Sequence, residues 1–142
     1  MISNRADLLM ILTGGCQCGA VRYRIDGELI DASYCHCSMC RKVSGSPVTA
    51  WATFPAKAFS YGQGTAAHFY SSDKAQREYC ADCGAQLVFR FSDTPDQLDV
   101  TIATLDDIAA VEPQFHIWVS SKVPWLVIGD DLPQYPESEA AE

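Results

Sequence analysis

The sequence predicts a mainly β protein folded in one piece, and three observations carry that expectation. Short stretches alternate with the two-residue period of a strand, as in Val21, Tyr23 and Ile25 against Arg22, Arg24 and Asp26. Turn-forming residues recur between such stretches, for example Tyr61-Gly62-Gln63-Gly64 and Ser71-Ser72-Asp73-Lys74. No helical period is sustained over even ten residues.

Taken in order, residues 1–7 read as a loose start and Leu8–Leu12 as a buried strand ending at Thr13-Gly14-Gly15. The alternating strand around Tyr23 is closed by Gly27, and Leu29–Tyr34 forms a second strand that leads into a cysteine cluster. Arg41–Pro47 is a loop or a single helical turn. Pro47 opens a strand with Val48, Ala50, Ala52 and Phe54 on one face and Thr49, Trp51 and Thr53 on the other, broken by Pro55. Ala66–Tyr70 and Ala75–Tyr79 form one hairpin. Leu87, Phe89 and Phe91 form another with Leu98, Val100 and Ile102. Asp106–Val111 suits one turn of helix, Phe115–Val119 a late strand, and Pro124-Trp125-Leu126 packs the end of the domain. Residues 1–132 are thus expected to form a single domain, and 133–142 an acidic, flexible tail.

A chain of 142 residues with 48% apolar content can bury a real core. Net charge is −8, and −3 once the five acids of residues 129–142 are set aside. Neither value offers the basic footprint of a nucleic-acid binder. The apolar run Leu8–Leu12 is far shorter than the ~20 residues of a membrane span, and no export signal is expected. A cytoplasmic home follows, where thiols stay reduced and clustered cysteines more often hold metal than disulfides. The odd count of seven cysteines points the same way, since a disulfide framework would leave one over.

Those seven cysteines fall in three clusters. Cys16 and Cys18 are separated by one residue, so on an extended backbone both sulfurs face one way. Cys80 and Cys83 have the spacing of a zinc knuckle, followed by Gly84 for a tight turn. Together they make a closed four-thiolate site. Cys35, Cys37 and Cys40 supply three ligands and no cysteine remains as a fourth, so a histidine closes this site or it stays open to water or substrate. Alternatively, a single structural zinc leaves three buried thiols, and an iron–sulfur cluster fits the spacings poorly. On extended backbone His36 points away from its flanking cysteines, and His68 reads as structural. His116 lies among aromatic residues that favour a core role, with substrate contact as the other reading. Three thiolates on Zn²⁺ leave net charge −1, which a cation at Arg41 or Lys42 can offset while gripping a substrate carboxylate, Arg41 being the better fork.

These motifs resemble the glutathione-dependent formaldehyde-activating enzyme family, which includes centromere protein V. The resemblance rests on Gly15-Cys16-Gln17-Cys18-Gly19-Ala20-Val21, on Cys35-His36-Cys37-Ser38-Met39-Cys40-Arg41 with Gly45, and on Arg77-Glu78-Tyr79-Cys80-Ala81-Asp82-Cys83-Gly84. Leu105-Asp106, His116-Ile117-Trp118 and Trp125 extend it over residues 13–128. It implies an all-β fold of the β-tent type, built of small antiparallel sheets. It also implies two zinc ions, one structural on Cys16, Cys18, Cys80 and Cys83 and one of catalytic type on Cys35, Cys37 and Cys40. The implied activity is that of a carbon–sulfur lyase condensing formaldehyde, or another small aldehyde, with glutathione or a related thiol. A non-catalytic zinc module that binds a thiol or a protein partner is the alternative. Hydrolysis by zinc-bound hydroxide ranks below both, because three thiolates acidify a bound water poorly.

Overall fold

The computed structural model describes residues 9–138. Ten strands form two sheets. Strands β1 (Leu9–Gly15), β2 (Arg22–Glu28) and β5 (Phe59–Gln63) make a three-stranded antiparallel sheet in the order β1-β2-β5. The second sheet has seven strands. They are β3 (Asp31–Cys35), β4 (Thr49–Pro55), β6 (Ala67–Tyr70), β7 (Ala75–Tyr79), β8 (Gln86–Phe91), β9 (Gln97–Thr101) and β10 (Phe115–Ile117). Their spatial order is β10-β3-β4-β9-β8-β7-β6, and every pair is antiparallel except β10 with β3. The mainly β expectation therefore holds, with one sheet larger than foreseen and one parallel pair in it. The sole α-helix among the described residues, α1 (Ser38–Ser44), starts inside the central cysteine cluster, earlier than the turn expected at Arg41–Pro47.

Strand alternation decides which face of the large sheet meets the small one. Ala32, Ala52, Phe54, Leu98, Val100 and Val88 point inward and share one core with Tyr23 and Ile25 of β2 and with Val21 just before it. Ile25, Phe54 and Val100 are wholly buried, and each such side chain stabilises the fold by about 1.5–3 kcal/mol. The opposite face carries Ser33, Cys35, Trp51, Thr53, Asp99 and Phe89, and it builds the cavity described below.

Several local expectations are corrected. Ile11 is 63% exposed, because β1 is the edge of the smaller sheet and covers its core with one face only. Leu8 lies outside the described residues. Tyr61-Gly62-Gln63, expected as a turn, is the end of β5, where Tyr61 and Gln63 pair with Tyr23 and Arg22 across a bulge. Asp106–Val111 forms bends and turns, and the helical turn is Ile102–Thr104. Trp125 is 71% exposed, so it adds little to the core expected there. His68 is exposed, with an edge-to-face contact to Tyr70.

Residues 133–138, expected to fray, are docked along β10. His116 donates its amide to Pro133 O at 2.9 Å, Tyr135 returns one to His116 O at 2.9 Å, and Trp118 donates to Glu137 O at 2.9 Å. Phe115 and Tyr135 meet edge to face at 5.8 Å. Composition pointed to fraying because it cannot register backbone pairing, which needs no apolar side chains. Residues 1–8 and 139–142 lie outside the described part.

Candidate metal centre and its cavity

Cys16 follows the end of β1, and a turn returns the chain to β2: Gly19 donates to Cys16 O at 3.2 Å and Cys16 to Val21 O at 3.0 Å. Cys80 follows β7 in a similar turn, where Gly84 donates to Cys80 O at 2.8 Å. Gly84 has φ 81°, a left-handed conformation that strains any residue with a Cβ. These two turns bring the four sulfurs of Cys16, Cys18, Cys80 and Cys83 within 4.8 Å of one another. Cys16 and Cys18 Sγ are 3.6 Å apart, and Cys18 and Cys80 Sγ 3.8 Å. A tetrahedron of thiolates at ~2.3 Å from zinc has edges of about 3.8 Å, so the set fits such an ion. No disulfide competes, since all seven cysteines are free. Burial opposes ionisation of Cys16, but the Val21 amide and the neighbouring thiols bring its pKa down to about 6.

The second group sits where β3 passes into α1. Cys35 ends the strand, and Cys37 caps the helix, its Sγ accepting the Cys40 amide at 3.2 Å. Cys40 lies in the first turn and its Sγ is 3.7 Å from that of Cys35. The helix closes at Gly45, φ 70°, whose amide donates to Arg41 O at 2.8 Å. All three sulfurs lie within 4.8 Å of one another and again match the spacing of a thiolate-bound metal. In the bare protein they cannot all ionise. The Cys35 and Cys40 thiols stabilise the Cys37 thiolate and lower its pKa to about 2, whereas neighbouring thiols and burial push Cys35 far up. A bound dication would relieve that conflict.

Arg77 of β7 stands beside this cluster. It is 1% exposed, and its Nη2 is 3.7 Å from Cys40 Sγ. Nε donates to Ser71 Oγ at 3.1 Å, Nη1 to Gln86 Oε1 at 3.2 Å, and the guanidinium lies 4.9 Å from the centroid of the Phe89 ring. A buried cation held from four sides needs a local negative charge, and the thiol cluster supplies it.

The three thiols open on a cavity of about 560 Å³, walled by Trp51, Phe89 and Trp118 and reaching Asp31 and Asp99. Trp118 adopts φ 59°, the one left-handed non-glycine among the described residues, and the docked segment fixes it there through its bond to Glu137.

Both expected cysteine groups are thus assembled, but Arg41, Lys42 and His116 do not line the cavity. Arg41 turns to Ser121 O at 3.5 Å, and Lys42 is exposed on α1. His116 is buried, with Nδ1 2.9 Å from His36 Nε2 and Nε2 3.0 Å from Asp130 Oδ2, and it stacks on Tyr34. The chain Asp130–His116–His36 ties the stretch just before the docked segment to the residue between Cys35 and Cys37. The sequence assigns Arg77 no site role beyond its place in a motif and assigns Asp99 none, although Asp99 stands as a charge between Leu98 and Val100 in an alternating strand.

The family described as glutathione-dependent formaldehyde-activating enzyme matches residues 11–121. An uncharacterized lyase of Schizosaccharomyces pombe is 30% identical over 79 residues, covering 56% of this chain and 57% of that protein. The chain therefore spans little more than half the length of that relative. A Halomonas elongata protein, provisionally named a glutathione-dependent formaldehyde-activating enzyme, is 25% identical over 94% of each chain. A Rhodobacter sphaeroides protein of known crystal structure superposes with a TM-score of 0.58 at 26% identity, covering 72% of this chain and 92% of that one.

Proposed function

Because this chain belongs to the glutathione-dependent formaldehyde-activating enzyme family, we propose that it is a zinc-dependent carbon–sulfur lyase that joins a thiol to a small aldehyde. Three thiols gathered at the wall of a cavity are the observation that supports this reading. Cys35, Cys37 and Cys40 would hold one zinc ion, and Cys16, Cys18, Cys80 and Cys83 a second, structural one. When bound, zinc at the three-cysteine site would supply a Lewis acid that favours the thiolate form of a substrate thiol.

The protein's own residues account for the rest. Arg77 offsets the negative charge by which three thiolates exceed a dication, and would offset more when a substrate thiolate joins them. Trp51 and Phe89 form an apolar wall that keeps water from the reacting atoms. Addition forms one bond, from thiol sulfur to aldehyde carbon, and the thiol proton ends on the new hydroxyl. Glutathione and formaldehyde are the first substrates to test.

Cobalt(II) substitution at both sites tests the reading directly. Added glutathione should raise a thiolate-to-cobalt charge-transfer band that saturates with concentration. A spectrum unmoved by any thiol, with cobalt confirmed in both sites, would favour a closed, non-catalytic metal module.

A further inference from the structure

The cavity has two chemically different ends. At one end are the three thiols and Arg77. At the other, Asp31, Thr53 and Asp99 form a row across three adjacent strands, Thr53 pairing in register with Asp31 on one side and Asp99 on the other. Asp31 and Cys35 are four residues apart on β3, so extended backbone separates their Cα atoms by about 13 Å. Trp51 and Phe89 line the wall along with them.

Charge decides what the far end can hold. Arg77 is the only lysine or arginine among the described residues of the cavity wall, and Cys40, Ser71, Gln86 and Phe89 already engage it. No cation is left there to receive a carboxylate. Asp99 accepts the Thr53 hydroxyl at 2.5 Å through Oδ1, while Oδ2 has no partner among the described residues. Burial and the nearby charge of Asp31 raise the Asp99 carboxyl to about 6 although Thr53 favours its charged form, so it is still ionised at neutral pH. A part-buried carboxylate with an unused oxygen on a cavity wall is set to receive a donor from a ligand.

We propose that the Asp31–Thr53–Asp99 row is a specificity element that selects thiol substrates carrying a protonated amine at the end remote from sulfur. This rests on the thiol-binding role of the cysteine end. A ligand that brings an ammonium to the row satisfies the free oxygen of Asp99 and neutralises an acidic pair. One that brings a carboxylate meets like charge with no cation to offset it. In glutathione the α-ammonium shares its carbon with a carboxylate, so glutathione would meet the row with the ammonium turned towards Asp99 and that carboxylate turned away, a weaker match than a thiol bearing an amine alone.

Three thiols of equal length separate the outcomes: aminohexanethiol, mercaptohexanol and mercaptohexanoic acid. Each is titrated calorimetrically into the zinc-loaded protein at about pH 8, where Asp99 is charged and the amine protonated, with metal content checked before and after. The amine should bind at least ~10-fold more tightly than the alcohol, and the acid most weakly, as expected for charges paired away from bulk water. Replacing both Asp31→Asn and Asp99→Asn keeps shape and the Thr53 hydrogen bond, and should bring the amine down to the affinity of the alcohol. The wild-type ranking stands alone should that variant fail to fold. Equal affinity for all three thiols, or preference for the acid, would overturn the specificity proposal and leave thiol binding intact. Failure of every thiol to bind would overturn the thiol-site reading, and this proposal with it.

Discussion

Arg77 and Asp99 are ionisable side chains on one cavity, and each has a stability consequence that can be measured. The guanidinium of Arg77 makes three directional contacts that an ammonium cannot reproduce from one position. Arg77→Lys should lower stability by about 1–3 kcal/mol and weaken thiol binding roughly 10-fold, read by denaturant unfolding and by the cobalt titration. Asp99 acts in the opposite sense. Its folded pKa of about 6 lies above the ordinary 3.8 of an aspartate, so the folded state holds its proton more tightly than the unfolded chain does. Its contribution is neutral below the unfolded value and becomes a penalty as pH rises towards 6 and beyond. Asp99→Asn should raise stability by about 1–2 kcal/mol at pH 7, and by nothing at pH 3, in matched thermal melts. The thiols were legible from spacing alone, because metal chelation constrains sequence separation. Arg77 and Asp99 were not, because alternation says that a residue leaves the core face and not what covers the other face.

Among the elements, strands with clean alternation could be read directly, as for β2, β4, β8 and β9. The failures share a cause. β5 ends in Tyr61-Gly62-Gln63, whose local turn chemistry is overridden by pairing with β2. Helix α1 has only seven residues, too few to show a period, and is nucleated by the Cys37 cap and stopped by Gly45. Its role is to carry Cys37 and Cys40 towards Cys35, so metal at this site and order in α1 should be coupled. A metal ion on the four-cysteine group would do different work, pinning the β1–β2 turn of the small sheet to the β7–β8 turn of the large one. Cys16→Ser should therefore lower the melting temperature by 10 °C or more, on the order of a lost structural metal ligand. Cys37→Ser should abolish the proposed joining of thiol to aldehyde while far-ultraviolet circular dichroism stays close to that of the parent. A Cys37→Ser protein that unfolds would reassign the central cluster to a structural role.

For the molecule as a whole, composition and period were enough to indicate one mainly β body, and the two sheets share a single core. What they could not indicate was the closing of the cavity by partners distant in sequence. β10 joins β3 in parallel, and residues 133–138 then lie along β10. Such pairings leave no local pattern, since backbone groups supply the bonds.

The order of these pieces along the chain has a bearing on synthesis. Every thiol lies between Cys16 and Cys83, whereas Trp118 and the segment that holds it follow later. A chain emerging N-terminus first presents both sulfur groups while that side of the cavity is still missing. Metal can enter a half-built bowl from the side that is later walled. For a metal held at the three-cysteine site, loading at the ribosome and loading of the finished protein would therefore be different kinetic problems, the second requiring passage through the mouth of the completed cavity.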